Sequence, residues 1–329
     1  MKRRKFVKII GVTTAGVMTP VRYINAEGQP EFDLNPATLI TENDDFYILQ
    51  FDKAPEIKAE HWRMVVTGLV TKPIALNYQQ ILKMESVTTQ RTLKCIGDPI
   101  GTEQMNNAEW TGVPLRNVLE DSGIKPKAKV VVFRCADGYH TAVPIERAMR
   151  KEVLLAYKMN GEDLPVEHGY PVRLLNPGHY GVKNPKWIMN IMLAEKHVGY
   201  WEAQGWDPIA RVKLATVIRS PENGSQIKVG SVCTVSGAAF DSGNHDGIKS
   251  VEVSIDGGAN WEPAEIWAKD SPLTWYLWKY TWQVTNQPGK IEIYARSTAN
   301  NGIVQEVNGF DAENGGATGY HAIDAEIQT

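Results

Sequence analysis

Over residues 115–123 the apolar positions fall three and four apart. Leu115, Val118 and Leu119 share one helical face, Pro114 suits the first helical turn, and Gly123 suits the end. The period then changes. Residues 129–133 form a β-branched run, and Ala136-Asp137-Gly138-Tyr139 reads as the turn that follows the strand. Residues 172–175 make a second short apolar strand, closed by Asn176-Pro177-Gly178. Glycine and proline turns recur throughout, so a helix bundle is excluded. From about residue 212 alternation takes over. Val251, Val253 and Ile255 have polar residues between them, Asp256-Gly257-Gly258 supplies a hairpin turn, and Ile291, Ile293 and Tyr294 mark a further strand. Trp275, Trp278 and Trp282 supply bulk for a core or an interface. Short strands between turns over this span predict an immunoglobulin-like sandwich. The expected fold class is α+β: a mixed α/β domain followed by an all-β sandwich, with the hinge near residues 208–213.

The first residues follow neither period. Lys2, Arg3, Arg4 and Lys5 make a positive start, residues 9–20 are apolar or small without charge, and Asn25-Ala26 offers a cleavage point. The apolar stretch is short of the roughly 20 residues that a membrane helix needs. Arg3-Arg4 followed by Lys5-Phe6-Val7-Lys8 is similar to a bacterial twin-arginine signal, an export route that carries folded proteins. An ordinary secretory signal or an uncleaved anchor is the other reading. The expected organisation is a signal over residues 1–26, a first domain over 27–211 and the sandwich over 212–329, with the periplasm as destination.

Composition narrows the function classes. A chain of 329 residues is too long for one ordinary core. With net charge -3 and no basic run after the start, nothing calls for nucleic acid. Cys95, Cys135 and Cys233 are far apart with no C-x-x-C, which leaves zinc ribbons, thioredoxin-like motifs and c-type haem attachment unsupported. Cys135 and Cys233 read as small buried hydrophobes. Cys95 stands in Thr92-Leu93-Lys94-Cys95-Ile96-Gly97-Asp98-Pro99, at a strand end where glycine and proline can present its sulfur from a bend. A soft thiolate suits a metal already held by sulfur. By itself, one cysteine in a strand is ordinarily packing.

This segment, with Ala108-Glu109-Trp110-Thr111-Gly112-Val113-Pro114-Leu115, resembles the molybdopterin-binding domain of the sulfite oxidase family. The likeness continues through Ala136-Asp137-Gly138-Tyr139, residues 155–162, His168-Gly169-Tyr170-Pro171-Val172-Arg173, residues 176–183 and Lys186-Trp187. It closes with Gly199-Tyr200-Trp201-Glu202 and Gly205-Trp206. Ser220-Pro221, Asn223-Gly224 and Ser254-Ile255-Asp256-Gly257-Gly258 resemble the family's immunoglobulin-like dimerisation domain. The resemblance implies a molybdenum–molybdopterin cofactor, with Cys95 as the protein's sulfur ligand to the metal. It implies His168 near the pterin, and Arg173, Lys183 and Lys186 as cations for the pterin's phosphate. Asp137 falls where the family places an acid near the cofactor, and Asp-Gly is equally a common turn whose carboxylate caps it. The family's substrate-side tyrosine matches Trp206. A separate cytochrome or membrane redox partner is implied, since the chain has no haem motif, and so is a homodimer through the C-terminal domain.

The chain departs from sulfite-oxidising members where arginines meet the substrate. Ile100 stands five residues after the cysteine, and Phe46, Leu49 and Phe51 match an aromatic–arginine–histidine segment. Asp98 replaces a neutral Asn and is expected to add negative charge near the metal. A small, strongly hydrated anion needs fixed cations to replace its lost water, so sulfite is expected to be a poor substrate. Oxygen-atom transfer on another small molecule, S-oxide reduction included, fits better. The contrasting reading is a non-catalytic binding or adhesion protein that uses the sandwich, with Trp261, Trp267 and Trp275 as a ligand surface or, more simply, as packing.

Overall fold

The helix predicted after residue 114 forms over Leu115–Ser122, with Pro114 as the cap residue just outside it. Gly123 ends it at φ 67°, a left-handed conformation that glycine adopts without steric cost. Leu115, Val118 and Leu119 are buried and join Val113, Phe133, Leu155, Leu174 and Ile191 in the main core of this half. The predicted strand forms over Val130–Cys135, and the second over Arg173–Leu175. The computed structural model describes residues 39–101, 104–285, 287–307 and 315–329. The expected twin-arginine signal and its cleavage point lie outside them. Leu39–Thr329 belong to one compact unit.

Two sheets carry the first half. One runs Ile74–Asn77, Arg63–Gly68, Ile188–Ala194, Val130–Cys135, His140–Pro144 in hydrogen-bonded order, with a parallel pairing between Arg63–Gly68 and Ile188–Ala194. The other runs Val87–Lys94, Met105–Pro114, Leu154–Met159, Glu162–Asp163, with Arg173–Leu175 also on Leu154–Met159. In the C-terminal half eight strands form one order, in which Glu262–Ala268 pairs with Ile248–Ser254 on one side and Tyr276–Gln283 on the other. Val235, Val251, Trp278, Ile293 and Ile323, drawn from across that order, meet in a single core. The Asp256-Gly257-Gly258 turn forms as predicted, both glycines at positive φ. Trp275, Trp278 and Trp282 are all buried as core bulk, which takes Trp275 out of the alternative ligand surface. Trp261 is covered by the Arg296 guanidinium at 4.0 Å from its ring.

The halves are joined through Val87–Lys94. Its first residues are exposed and its last four are buried, because the sandwich covers that end. Thr92 N donates to Leu273 O at 3.2 Å, and Trp275 N donates to Thr92 Oγ1 at 2.8 Å. Arg219 lies over the Trp275 ring at 4.5 Å and donates to Met105 O at 3.1 Å. A third apolar cluster is built from both halves, with Ile96, Met105 and Tyr180 against Val212, Val217, Phe240 and Trp275.

Gly237 sits where Val232–Phe240 crosses Ala215–Ser220, and a Cβ there would collide with the Val217 carbonyl and lie 2.8 Å from Trp278. Backbone cannot move aside cheaply. Gly237→Ala is expected to lower stability by about 1–3 kcal/mol, read as a reduced urea midpoint at unchanged slope.

Candidate active site

The Cys95 bend is built by its neighbours. Cys95 N donates to Gln104 O at 3.0 Å, and Gly97 N donates back to the Cys95 sulfur at 3.3 Å. Lys94 and Asp98, one on either side of the thiol, form an ion pair with both side chains buried. Gln104 N adds a hydrogen bond to Asp98 at 3.3 Å. The expected free negative charge of Asp98 is thereby corrected: its carboxylate is neutralised within the bend. Burial pushes the Cys95 thiol up to about 11, against the pull of the Gly97 hydrogen bond. A metal binding here must displace a proton. Ile100 turns toward the sandwich, close enough to Gly319 that a Cβ there would lie 2.6 Å from its side chain.

Two phenols flank the thiol. Tyr47 is anchored by its N–H to Asn106 Oδ1 at 3.0 Å, and its hydroxyl lies where a Cβ on Gly181 would come within 3.2 Å. Burial raises it above the ordinary phenol range, with Cys95 adding and Arg173 opposing. Tyr180 is fully buried, and its hydroxyl accepts from Lys213 N at 3.1 Å. Burial takes it up to about 12, helped by Asp98, Cys95 and Asp207.

Beyond Tyr47 lies Arg173, only 5% exposed. It donates to His168 O at 3.0 Å and Asn184 O at 3.3 Å and packs over Trp110 at 5.1 Å. Among the described residues no carboxylate pairs with it, and its Nε is buried without a partner. Burial lowers it to about 10. His168 is buried, bonded through Nε2 to Asn43 O at 3.0 Å, and lowered to about 4 by burial, with Arg173 and Lys186 adding. Lys186 is half-buried, donates to Glu167 O at 2.6 Å, and is lowered to about 7 by burial and Arg173. Asp137 does cap its turn, accepting from Tyr139 N at 3.0 Å, and it also sits near enough to Lys186 for the two charges to interact. Thus Cys95, Tyr47, Arg173, His168, Lys186 and Asp137 form a linked series of interacting groups.

Lys183 does not join that series. Its ammonium bonds Thr141 Oγ1 at 3.0 Å, Ala142 O at 3.1 Å and the Glu202 carboxylate in a buried ion pair. All three protons are spent, so the expected phosphate contact is corrected to a structural role. Trp206 stacks on Trp201 at 4.7 Å and packs on the cluster that holds Ile96 and Tyr180. Tyr47 and Tyr180 escaped the sequence reading. The signal for Tyr47 was its place beside Phe46 in the aromatic segment, and for Tyr180 its place inside residues 176–183.

Comparison with known proteins identifies the two domains. Residues 51–201 match the family model "Oxidoreductase molybdopterin binding domain", and residues 207–311 match "Mo-co oxidoreductase dimerisation domain". The chain is 28% identical to mitochondrial sulfite oxidase of Drosophila melanogaster, over 84% of this chain and 56% of that one. It is 27% identical to inducible NADH nitrate reductase 2 of Glycine max, over 76% of this chain and 35% of that one. It therefore spans little more than half the length of the sulfite oxidase and about a third of the nitrate reductase. Among solved structures, the sulfane dehydrogenase SoxCD from Paracoccus pantotrophus superposes with TM-score 0.76 at 25% identity, over 86% of this chain and 80% of that one.

Lys94→Met removes the cation from the buried Asp98 carboxylate, and loss of one partner of a buried pair costs about 3–5 kcal/mol. The double variant Lys94→Met, Asp98→Leu removes both charges and is expected to recover most of that loss. Thermal melts of the three proteins check it. Equal destabilisation by the single and double variants would show that the pair is not coupled.

Proposed function

This chain belongs to the sulfite oxidase family of molybdopterin oxidoreductases, and on that basis we propose that it transfers an oxygen atom to or from a small non-anionic substrate at a molybdenum ligated by Cys95. The observation that carries the reading is Arg173. A guanidinium at 5% exposure with no carboxylate partner among the described residues, and with a buried orphan Nε–H, is costly unless an anionic ligand completes it. The terminal phosphate of the pterin is such a ligand, and bidentate donation to phosphate is what a guanidinium does best.

Residue roles follow from position. Cys95 would give the metal its protein sulfur, and the Gly97 N–H donor to that sulfur would stabilise the thiolate form. His168, neutral over most of the pH range, would hydrogen-bond the pterin and not add charge. Arg173 and Lys186 would hold the phosphate, while Asp137 orients Lys186. Lys183, with Glu202, holds the intervening turn in place. When bound, the cofactor supplies two-electron chemistry of the form substrate + H2O ⇌ substrate–O + 2 H⁺ + 2 e⁻, with the electrons exchanged singly with an external carrier.

Tyr180 and Trp206 would stand on the substrate side of the thiol. Neither Leu49 nor Ile100 offers a cation there, and Lys94 is consumed by Asp98. Sulfite would have to shed water with nothing to replace it. A separate redox partner such as a cytochrome, taking the two electrons in two one-electron steps, would complete the reaction. The dimerisation domain supports a homodimer, and the signal-like first residues support export to the periplasm.

Cys95→Ser is expected to fold and to lose most turnover, because a hydroxyl is a harder ligand than thiolate. Molybdenum near one equivalent per wild-type chain, by elemental analysis, is the companion measurement. Full turnover in the variant would remove Cys95 from the metal. Arg173→Ala is expected to lose about 1.5–3 kcal/mol of cofactor binding, the worth of a charge-assisted hydrogen bond. Pterin content after dialysis reads this directly. Normal content with altered selectivity would move Arg173 to the substrate pocket.

A further inference from the structure

The side of the site that lacks arginine is not bare. Trp206 packs on the apolar cluster of Ile96 and Tyr180, one step from the thiol, and stacks on Trp201. Trp201 meets Tyr200 edge-to-face at 5.0 Å, and Tyr200 meets Phe51 at 4.5 Å. Phe51 closes the row on Tyr139, whose hydroxyl donates to Val182 O at 2.7 Å, in the turn that faces Tyr47. The row is therefore tied at both ends to residues around Cys95. It is also open: Phe51 is 39% exposed, Leu49 beside it is exposed, and Tyr200, Trp201 and Trp206 are half-buried. Soluble surfaces seldom line up this much aromatic area without a ligand for it.

Asp207 follows Trp206 and caps Ile209 N at 2.9 Å, Asp52 and Lys53 follow Phe51, and Glu202, next to Trp201, is paired with Lys183. The row itself favours ring faces, thioethers and methyl groups, which aromatic rings hold by dispersion and edge contacts.

The geometry points to the row Phe51–Tyr200–Trp201–Trp206 as the specificity surface of this site, selecting an organic sulfur compound with an apolar or aromatic flank over any inorganic oxyanion. This rests on the oxygen-transfer reading above. In balanced form the sulfoxide direction is R–SO–R′ + 2 H⁺ + 2 e⁻ → R–S–R′ + H₂O, with two equivalents of a one-electron donor breaking the S–O bond and releasing water.

The test uses molybdenum-assayed protein with methyl phenyl sulfoxide and dimethyl sulfoxide under reduced viologen, thioanisole under ferricyanide, and sulfite under ferricyanide. Wild type is expected to turn over an aryl sulfur probe in one direction and to fall short of roughly 10⁴ M⁻¹s⁻¹ on sulfite. Phe51→Ala and Trp206→Ala are each expected to raise KM for the aryl probe about tenfold with kcat held within about twofold, and to change the dimethyl probe less. Efficient sulfite turnover that the variants leave unchanged would overturn the inference and leave the molybdenum reading standing. Loss of dimerisation by light scattering with unchanged selectivity would overturn it too, by assigning the row to a protein interface. Should no probe turn over, tryptophan fluorescence decides separately. Saturable quenching by methyl phenyl sulfoxide that Trp206→Ala abolishes supports the surface, and its absence in wild type overturns it.

Discussion

A strand that must end in a presented thiol has a difficulty at its last residue. Lys94 is charged, its side chain is buried, and the next residue is the one whose sulfur has to be held still. The ion pair to Asp98 resolves this by closing the bend on itself. The lysine reaches across Cys95 to a carboxylate that is in turn fixed by the Gln104 amide. Everything that approaches the sulfur, from Tyr47 on one side to Tyr180 on the other, is arranged around a loop whose ends are tied in this way. The pair gives little net stability, since two desolvated charges largely repay their own cost. What it gives is a defined position for the thiol.

The site then divides by charge. On one side stand Arg173, Lys186 and neutral His168, with a guanidinium that the protein leaves incomplete. On the other stand aromatic rings and neutralised ion pairs. A pterin and its phosphate match the first environment, and an uncharged organic molecule matches the second. On the proposed reading the two halves of the site would take different chemistry, and Leu49, Ile100 and Trp206 bring no cation to the second.

Much of this was legible in the sequence because it is local. The helix over Leu115–Ser122 follows from apolar spacing, the glycine turn after Ser254 from its dipeptide, and the thiol bend from Gly97 and Pro99. The sandwich showed in alternation, since one face of each strand is buried. What was not legible depends on pairing across the fold. Nothing in the order Lys94, Cys95, Asp98 says that the two charges cancel, and Lys183 sits in the same motif run as Lys186 while facing Glu202, nineteen positions away. Charge counts reveal which ions exist and not which are spent. The aromatic row likewise unites Phe51 with residues of the Tyr200 region only through tertiary packing.

The close approach of Ile100 to Gly319 is one of several between the thiol bend and the far sheet. A Cβ at Gly101 would strike the imidazole, and Gly319 and Gly316 press as closely on Ile100 and Tyr180. The backing of the thiol bend therefore comes from strands made long after the bend itself. The position of the thiol is thereby coupled to the integrity of a sheet whose last strand lies more than two hundred residues further along the chain. His321–Gln328 is held there by pairing with Gly289–Ala299 and Ser225–Lys228. A change in the far sheet can therefore be felt at the sulfur without touching any residue of the site.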